Sequence, residues 1–413
     1  MKFVSINQIS DTNNKTNEKL VLFLFNDETL IKKVELNVID NFDILYKQFL
    51  SYLYIFGFNK IIIDTNYDLY LKLKDTFESS NDYKFFISIY NEISIEYLKL
   101  KTTNNSLENF FDLEYGNINK TIGIDIGGSD IKVACLIDEK IIYSNEVIWH
   151  PKDNENLSYH INMINSVLND ALTYLNNDVD NIKISSAGVI KNNQVLLANL
   201  YKKVKDQDYK NIYIDIVKNI EKKLNKHINY FVFNDGDVSA IFGLNYYKTN
   251  NMLGLALGTS LAAGYINDNK LQNYLNEPST IKFFAENDNL ISDYLSQDGV
   301  INLSFKYNLI IDENLTKYEK LKYVQNLFDQ NNEKAKLIFK DIGYILADFI
   351  NYLSNLLDIS NVILQGRVLS NNSGKYLYQC CKERVNNNIS IYLPDENFVR
   401  IGQAIAVANI VKK

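Results

Sequence analysis

Residues 121–138, TIGIDIGGSDIKVACLID, decide the fold that we expect for this chain. The first six residues are mostly apolar, as in a buried strand; they include Asp125 and are followed by the pair Gly127-Gly128. Because glycine has no Cβ atom, the backbone N–H groups of such a turn can approach the oxygens of a phosphate. An isolated glycine pair is usually an ordinary hairpin turn, but the apolar strands on both sides favour a phosphate loop here.

Polar side chains around this turn are candidates for holding a nucleotide and its metal ion. The hydroxyl of Ser129 can donate a hydrogen bond to phosphate, and Lys132 follows in the next strand. Mg²⁺ prefers oxygen ligands and keeps several of its waters, so the carboxylate of Asp125 is suited to hold it through water. We therefore expect a metal site at Asp125 and nucleotide-binding residues at Gly127, Gly128, Ser129 and Lys132.

A second stretch, MLGLALGTSLAAGYI at residues 252–266, has the same strand–turn–strand pattern. Its turn contains Gly258 and Thr259, followed by Ser260, and we expect all three to bind nucleotide. Two such loops that face each other form a clamp for a triphosphate. The repeated pattern also indicates a duplicated, two-lobed architecture.

A third stretch, FVFNDGDVSAIFGL at residues 231–244, supplies a candidate general base. An apolar strand ends at Asn234-Asp235 and a helix follows, which places a carboxylate at the edge of a cleft. Asp237 is the alternative base, although an acid in the first turn of a helix has a simple structural explanation. A helix cap would also explain Asp235 in isolation, but its place between the two phosphate loops favours catalysis.

A fourth stretch, NVILQGRVLSNNSG at residues 361–374, reads as a buried strand that turns at Gly366 and is followed by Arg367, one of the few arginines of the chain. A guanidinium group at this place can bind phosphate or stack on a base. A surface salt bridge is an equally good explanation. We expect Gly366 and Arg367 to contact the nucleotide.

The composition argues against several classes of protein. The formal net charge of −7 disfavours binding to nucleic acid or to an anionic membrane. The sequence contains no apolar run of about 18 residues, the length that spans a membrane. Cys135, Cys380 and Cys381 have neither a zinc spacing nor the spacing of a disulfide framework. We expect a cytoplasmic protein without nucleic-acid or membrane partners.

The length of 413 residues predicts two or three domains. Residues 1–100 combine a hairpin at 20–38, a helix at 41–56 and a strand at 59–65, which together indicate a small α/β module. A long helical region is predicted at 315–358. The predicted division is an N-terminal module at 1–100, a polar linker at 101–119, lobe I at 120–235 completed by a closing helix at 401–413, and lobe II at 236–400.

The order of the motifs GIDIGGS, SAG, NDGD, LGTS and GQAIA resembles that of the ROK family of sugar kinases and repressors. The resemblance covers about residues 120–413. It implies the two-lobed α/β fold of the actin-like ATPases (ribonuclease H-like), with ATP and Mg²⁺ in the cleft and a sugar-like hydroxyl as phosphate acceptor. It also implies that Asp235 is the catalytic acid–base residue. The substrate-binding residues that it implies are Gly188, Asn234, Glu277 and Thr280.

This sequence departs from the family pattern at several places. The motif Glu-x-Gly-His corresponds to residues 277–280, where Thr280 replaces the histidine. The His/Cys cluster that binds zinc in many members is missing, so we expect a zinc-less branch without structural zinc. The adenosine loop contains Gln365-Gly366-Arg367 in place of its glycines. These changes leave open the alternative of a catalytically inactive, ROK-like protein that binds a ligand or a partner.

The N-terminal module does not resemble the winged helix of the ROK repressors. Residues 1–100 are acidic and show no helix–turn–helix with a basic recognition helix, which disfavours a DNA-binding repressor. The sequence leaves three roles open for this module: packing on the kinase lobes, covering the cleft, or forming a homodimer.

Overall fold

The computed structural model describes residues 4–6, 8, 15–98, 110–114 and 119–412. Its strands are β1 (Lys15–Asn26), β2 (Thr29–Ile39), β3 (Lys60–Asp64), β4 (Ser94–Tyr97), β5 (Phe110–Glu114), β6 (Thr121–Ile126), β7 (Asp130–Ile137), β8 (Lys140–Ile148), β9 (Asn181–Ser186), β10 (Val189–Lys191), β11 (Gln194–Leu197), β12 (Asn229–Asn234), β13 (Met252–Leu257), β14 (Leu261–Asn267), β15 (Lys270–Gln272), β16 (Asn361–Gln365), β17 (Ser390–Tyr392) and β18 (Val411–Lys412). Its α-helices are α1 (Phe42–Phe56), α2 (Tyr67–Glu78), α3 (Asn81–Tyr90), α4 (Leu157–Tyr174), α5 (Asp206–Tyr209), α6 (Ile212–Leu224), α7 (Asp235–Tyr247), α8 (Gln297–Lys306), α9 (Lys317–Asp329), α10 (Glu333–Leu353), α11 (Asn371–Lys382) and α12 (Glu396–Ala408). None of these helices is long and apolar enough to cross a membrane.

The N-terminal module contains a four-stranded sheet with the strand order β2-β1-β3-β4. The hairpin predicted at 20–38 is confirmed by the antiparallel pair β1 and β2. The helix predicted at 41–56 and the strand predicted at 59–65 are confirmed by α1 and β3. Helix α1 begins after Asn41, whose side-chain oxygen accepts a hydrogen bond from a backbone N–H in the first turn at 3.2 Å.

The N-terminal module shares one hydrophobic core with the seven-stranded sheet described below. Backbone hydrogen bonds of 3.0 Å join residues 4–6 to residues 283–285. The side chain of Lys47 is only 3% exposed, and its Nζ forms ion pairs with Asp43 at 3.0 Å and with Asp288 at 3.1 Å. These contacts attach the module to the part of the chain that carries the second phosphate-type loop.

The five-stranded sheet has the order β12-β9-β6-β7-β8, and every residue of its central strand β6 is buried. Helix α12 packs on β6 and β7. A Cβ atom on Gly123 would lie 2.1 Å from the carbonyl oxygen of Ala404, so a side chain there would prevent this contact. The buried Lys183 donates a hydrogen bond at 3.1 Å to the carbonyl of Ala408, which satisfies one of the free carbonyls at the end of α12.

The seven-stranded sheet has the order β17-β16-β13-β14-β15-β5-β18. Strand β5 lies within the stretch 101–119, which the sequence predicts to be a linker, so that prediction is wrong for residues 110–114. Its partners β15 and β18 come from much later in the chain, and the short sequence FFDLE gives little local signal for a strand. Residues 101–109 and 115–118 lie outside the described residues.

Two predicted helices have different bounds in the structure. The helical region predicted at 315–358 is divided into α9 and α10 by a turn at Asn331, whose φ is 62°. Asn332 then caps α10 by accepting hydrogen bonds from two N–H groups of its first turn at 3.0 and 3.1 Å. The closing helix predicted at 401–413 is α12, which begins earlier and ends at Ala408.

Candidate active site

A cleft of about 510 Å³ lies where the ends of β6, β13 and β16 meet. The turn between β6 and β7 and the turn between β13 and β14 both line it, so the two predicted halves of a phosphate clamp face the same cavity. The residues predicted from the sequence that line this cleft are Asp125, Gly127, Gly128, Ser129, Lys132, Asp235, Gly258, Thr259, Gly366 and Arg367.

Two of the predicted phosphate donors are used within their own turns. The N–H group of Gly127 donates to the carbonyl of Asp130 at 2.9 Å, and that of Gly258 closes the second turn in the same way at 3.0 Å. Among the described residues, no backbone hydrogen bond is donated by the N–H groups of Gly128 and Thr259. The expected donors are therefore the middle residues of the turns rather than the glycines that open them.

The two turns approach each other closely. A Cβ atom on Gly128 would lie 2.9 Å from Oγ1 of Thr259, so a side chain there would require the Thr259 side chain to move. The indole N–H of Trp149 donates to the carbonyl of Gly127 at 2.8 Å and holds the first turn in place. Ser260, predicted to bind nucleotide, is not among the residues that line the cleft; its carbonyl oxygen closes the second turn.

A cluster of opposite charges crosses the cleft. The ammonium group of Lys132 lies 2.9 Å from Asp130 and 3.6 Å from Asp125. Arg367 also forms an ion pair with Asp130, and its guanidinium group lies 4.5 Å from the ring centroid of Tyr318. Burial raises the pKa of Asp130, but the two cations lower it more, so its pKa lies below the ordinary value. Arg367 thus forms a salt bridge inside the cleft.

Asp125 is the residue that is expected to bind a metal ion. Its carboxylate is 3% exposed and accepts a hydrogen bond from the hydroxyl of Ser185 at 2.7 Å. Burial raises the pKa of Asp125. The described residues contain no group of three or more His, Cys, Asp or Glu side chains arranged to hold a metal ion. One carboxylate beside a phosphate site fits an Mg²⁺ ion whose other ligands are phosphate oxygens and water.

Asp235 is the first residue of α7 and lines the cleft. The start of this helix packs tightly on β14: a Cβ atom on Gly236 would lie 2.2 Å from the backbone of Ala263, and one on Gly264 would be nearly as close to α7. Burial, and then the charge of Asp125, raise the pKa of Asp235 to about 7. A carboxylate with such a pKa is well suited to act as a general base near neutral pH.

A second cavity of about 80 Å³ is lined by Gly188 and Asn234, two of the predicted substrate-binding residues. The amide nitrogen of Asn234 donates to the carbonyl of Gly188 at 2.6 Å, and its amide oxygen caps α7 by accepting from the N–H of Gly236 at 2.7 Å. Gly188 has a φ of 120°, and a Cβ atom there would lie 2.4 Å from the carbonyl of Leu197. The structure therefore brings these two predicted residues together.

Glu277 and Thr280, the other two predicted substrate-binding residues, line neither cavity. Burial and the charge of Asp235 raise the pKa of Glu277 to about 8, so the two carboxyl groups are near enough to interact. The hydroxyl of Thr280 donates to the carbonyl of Glu277 at 2.7 Å and closes a short 3₁₀ turn. Thr280 thus has a local structural role.

Asp237, the alternative base, faces the second cavity rather than the cleft. The amide of Asn276 donates to its carboxylate at 3.4 Å. Burial raises the pKa of Asp237 to about 7. The carboxyl groups of Asp237 and Asp235 therefore have similar pKa values but line different cavities.

Sequence reasoning missed Gln365 as a site residue. It lines the cleft, is 3% exposed, and its Nε2 atom has no hydrogen-bond partner among the described residues. Its Oε1 atom accepts a hydrogen bond from Gln403 at 3.5 Å, so the amide orientation leaves the donor free. The signal was present in the sequence, since a glutamine at the end of the apolar strand NVILQ is unusual for a buried strand.

Two facing turns around one cleft between two sheets are typical of the actin-like ATPases, and the comparisons with known proteins confirm this fold. A model of the ROK family matches residues 121–274, which confirms the resemblance drawn from the motifs. A search of the curated proteins finds no match.

Solved structures of ROK proteins have the same fold. A ROK family glucokinase from Streptomyces griseus, in complex with glucose and AMPPNP, is 17% identical, with 70% of this chain and 98% of that chain covered and a TM-score of 0.52. The ROK hexokinase from Thermus thermophilus is 12% identical, with coverage of 70% and 97% and a TM-score of 0.52. A ROK family transcriptional regulator, a homologue of the E. coli MLC protein, is 14% identical, with coverage of 70% and 78% and a TM-score of 0.53. Because kinases and a regulator share this fold, the function has to be argued from the site.

Proposed function

We propose that this chain transfers the γ-phosphoryl group of ATP to a hydroxyl group of a small, sugar-like molecule. The observation that carries the proposal is that Asp235 and both glycine turns line one cleft. Phosphoryl transfer needs a positioned base and an array of donors around the phosphates. The similarity to a ROK glucokinase and a ROK hexokinase supports the same reaction class.

In this proposal the triphosphate lies between the two turns. The N–H groups of Gly128 and Thr259 and the hydroxyl of Ser129 donate hydrogen bonds to phosphate oxygens. Lys132 and Arg367 supply positive charge. Each forms an ion pair with Asp130 in the ligand-free protein and gives up part of that contact to bind phosphate. The free amide donor of Gln365 offers a further hydrogen bond to the nucleotide from the floor of the cleft.

The chemical step then follows from the position of Asp235. The acceptor oxygen attacks the γ-phosphorus, the bond to the bridging β–γ oxygen breaks, and Asp235 accepts the hydroxyl proton; the products are ADP and the phosphate ester. Mg²⁺, when bound beside Asp125, neutralises charge on the phosphate oxygens. Glu277 lines neither cavity, and its carboxylate accepts a hydrogen bond from the hydroxyl of Ser279 at 3.3 Å, so it has no direct part in this step. Asn234 and Gly188 form part of the wall of the acceptor site.

A second candidate function is the binding of a ligand or partner without catalysis. The second cavity is small beside the cleft, about 80 Å³ against about 510 Å³, and side chains from the N-terminal module line it. These observations favour a site that binds a ligand without catalysis. The presence of a carboxylate with a pKa of about 7, that of Asp235, beside both turns favours the kinase, because binding alone needs no such base.

A thermal-shift titration with MgATP, alone and with a panel of hexoses and N-acetylhexosamines, tests this proposal. A ligand present at 100 times its dissociation constant stabilises the folded state by about 2.7 kcal/mol, which raises the melting temperature by some degrees. We expect a shift with MgATP that one sugar of the panel increases. The absence of a shift with any nucleotide at millimolar concentration would contradict the kinase proposal, and a shift with a sugar alone would favour the second candidate.

A further inference from the structure

The N-terminal module supplies one wall of the second cavity. Asn26 at the end of β1, together with Ile89 and Tyr90 at the end of α3, lines it. Gly188, which follows β9, and Asn234, the last residue of β12, line it from another side. The proposed acceptor site is therefore formed partly by residues that precede the ROK-like part of the chain.

The module is attached on two sides of this cavity. The N–H groups of residues 275–277 donate to the carbonyls of residues 54–56 at 2.9 to 3.3 Å. Because the last carbonyls of a helix have no partner within the helix, this segment caps α1. On another side, the ammonium group of Lys191 lies 5.3 Å from the ring centroid of Tyr90. The module thus connects the segment that carries Glu277 to the β10–β11 hairpin.

One atom of the module wall lacks a partner. The Oδ1 atom of Asn26 is buried and accepts no hydrogen bond from the described residues. A buried polar atom without a partner destabilises the folded state. Asn26 lines the cavity, and a rotation of its side chain would bring this buried acceptor within reach of a ligand that donates a hydrogen bond to it.

The other polar groups of the cavity indicate what kind of ligand this is. Uncharged carboxamides predominate among them, and several are already used within the protein: both amide atoms of Asn234 and the amide nitrogens of Gln272 and Asn276 form hydrogen bonds with the chain. Lys191 is in contact with Tyr90, and the pKa of Asp237 is raised to about 7 by burial, so fixed charge is limited. Such a lining suits a neutral molecule with several hydroxyl groups. The carboxamide residues that line the cavity are Asn26, Asn234, Gln272, Asn273 and Asn276.

We propose that the N-terminal module forms part of the acceptor site, and that Asn26 Oδ1 accepts a hydrogen bond from a hydroxyl group of a neutral, polyhydroxylated acceptor. This inference rests on the proposed function. It assigns to the module the selection of the acceptor, whereas the nucleotide is bound by the turns of the ROK-like part.

The substitution Asn26→Leu in the full-length protein tests this inference, since leucine has a similar size and no acceptor. The measurements are KM for the acceptor and for MgATP, kcat, and the melting temperature of the ligand-free protein, with the hexose of the panel that gives the highest wild-type turnover. We expect KM for that hexose to rise about tenfold, with KM for MgATP unchanged. The melting temperature should stay the same or rise, because an unpaired buried atom is removed; a purely structural asparagine would give a fall.

Asn66→Leu is the matched control. Asn66 lies in the same module, caps α2 by accepting from the N–H of Leu69 at 2.8 Å, and lines neither cavity. We expect a lower melting temperature and an unchanged KM for the hexose. If the wild-type protein phosphorylates the hexose and Asn26→Leu has an unchanged KM for it, this inference is overturned and the proposed function stands. The absence of turnover with every acceptor in the wild-type protein would overturn the proposed function and this inference with it.

Discussion

The cleft at the two glycine turns and the second cavity are built in different ways. Three turns that directly follow β6, β13 and β16 line the cleft, each of them a short local stretch of sequence, and residues of α9 and α12 complete the lining. The second cavity is lined by the end of β1, the end of α3, the segment after β9 and residues 271–276, which are far apart in the chain. The first can be recognised as a set of motifs, and the second exists only through tertiary contacts.

This difference indicates a division of labour. In the proposed function, the part built from local motifs supplies the phosphate donors and the base that any acceptor would need. In the further inference, the part built from tertiary contacts selects the acceptor, and the N-terminal module contributes to it. Variants can therefore be chosen to affect one region and leave the other unchanged.

The largest effect is expected from Asp235→Asn, which removes the proposed base and keeps the size of the side chain. The loss of a general base lowers kcat by on the order of a hundredfold or more. Binding of MgATP, measured by thermal shift, should be nearly unchanged. Asp237→Asn is the comparison variant, since burial raises both pKa values to about 7 and only Asp235 lines the cleft. A loss in Asp237→Asn equal to or larger than that in Asp235→Asn would assign the base to Asp237.

The next effect is the dependence of kcat/KM on pH. A base must be ionised to accept a proton, and burial together with the charge of Asp125 raises the pKa of Asp235 to about 7. We therefore expect kcat/KM to fall about tenfold for each pH unit below 7 and to level off above it. A profile that is flat between pH 5.5 and pH 8 would show that no group with this pKa limits the reaction.

A smaller effect, confined to the nucleotide cleft, is expected from Gln365→Leu. The variant loses the free amide donor, so the dissociation constant of MgATP should rise about tenfold, while KM for the acceptor stays the same. The melting temperature should not fall, because Nε2 has no partner among the described residues. Gln325 is the matched control: it also lines the cleft, but its amide donates to the carbonyls of Arg367 and Ser370 at 3.2 and 3.3 Å. Gln325→Leu should lower the melting temperature. Equal changes in melting temperature and in the dissociation constant of MgATP for the two variants would contradict the proposed role of the Gln365 amide.

The smallest effect is expected where the N-terminal module is attached. Lys47 donates hydrogen bonds to the carbonyls of Phe284 and Asn287 and forms ion pairs with two carboxylates. Lys47→Met leaves these acceptors without a partner and should lower the free energy of unfolding by about 1–3 kcal/mol, as measured by urea denaturation. The control Lys60→Met removes an exposed ion pair with Glu96 and should cost about 0–1 kcal/mol. A loss from Lys60→Met as large as that from Lys47→Met would show that burial of the attachment does not matter.

The sequence allowed most residues of the two glycine turns to be placed around one cleft; their binding of nucleotide stays a prediction. Apolar strands around Gly127-Gly128 and Gly258-Thr259 are local signals, and both turns line the cleft. Ser260 is predicted with Gly258 and Thr259 but does not line the cleft, because sequence does not show which groups of a turn close it. The sequence predicts that Arg367 contacts the nucleotide. It does not predict the ion pair of Arg367 with Asp130, because these two residues lie far apart in the chain.

The second cavity was largely beyond prediction from the sequence. The resemblance to the ROK family pointed to Gly188 and Asn234, which line the cavity, and to Thr280, which does not. No local pattern marks Asn26 or Tyr90, since their role depends on how the N-terminal module packs on the rest of the chain. Strand β5 was missed for the same reason, because its partners lie far away in the sequence.

The most direct test of the central claim is a ³¹P NMR spectrum of the protein with MgATP and the panel of hexoses and N-acetylhexosamines. A kinase with Asp235 as its general base produces a phosphate ester of one acceptor in an amount equal to the ADP formed. We predict that this phosphomonoester resonance appears with the wild-type protein and is absent with Asp235→Asn. Unchanged ATP, or ADP accompanied only by inorganic phosphate, with every acceptor of the panel would contradict the account.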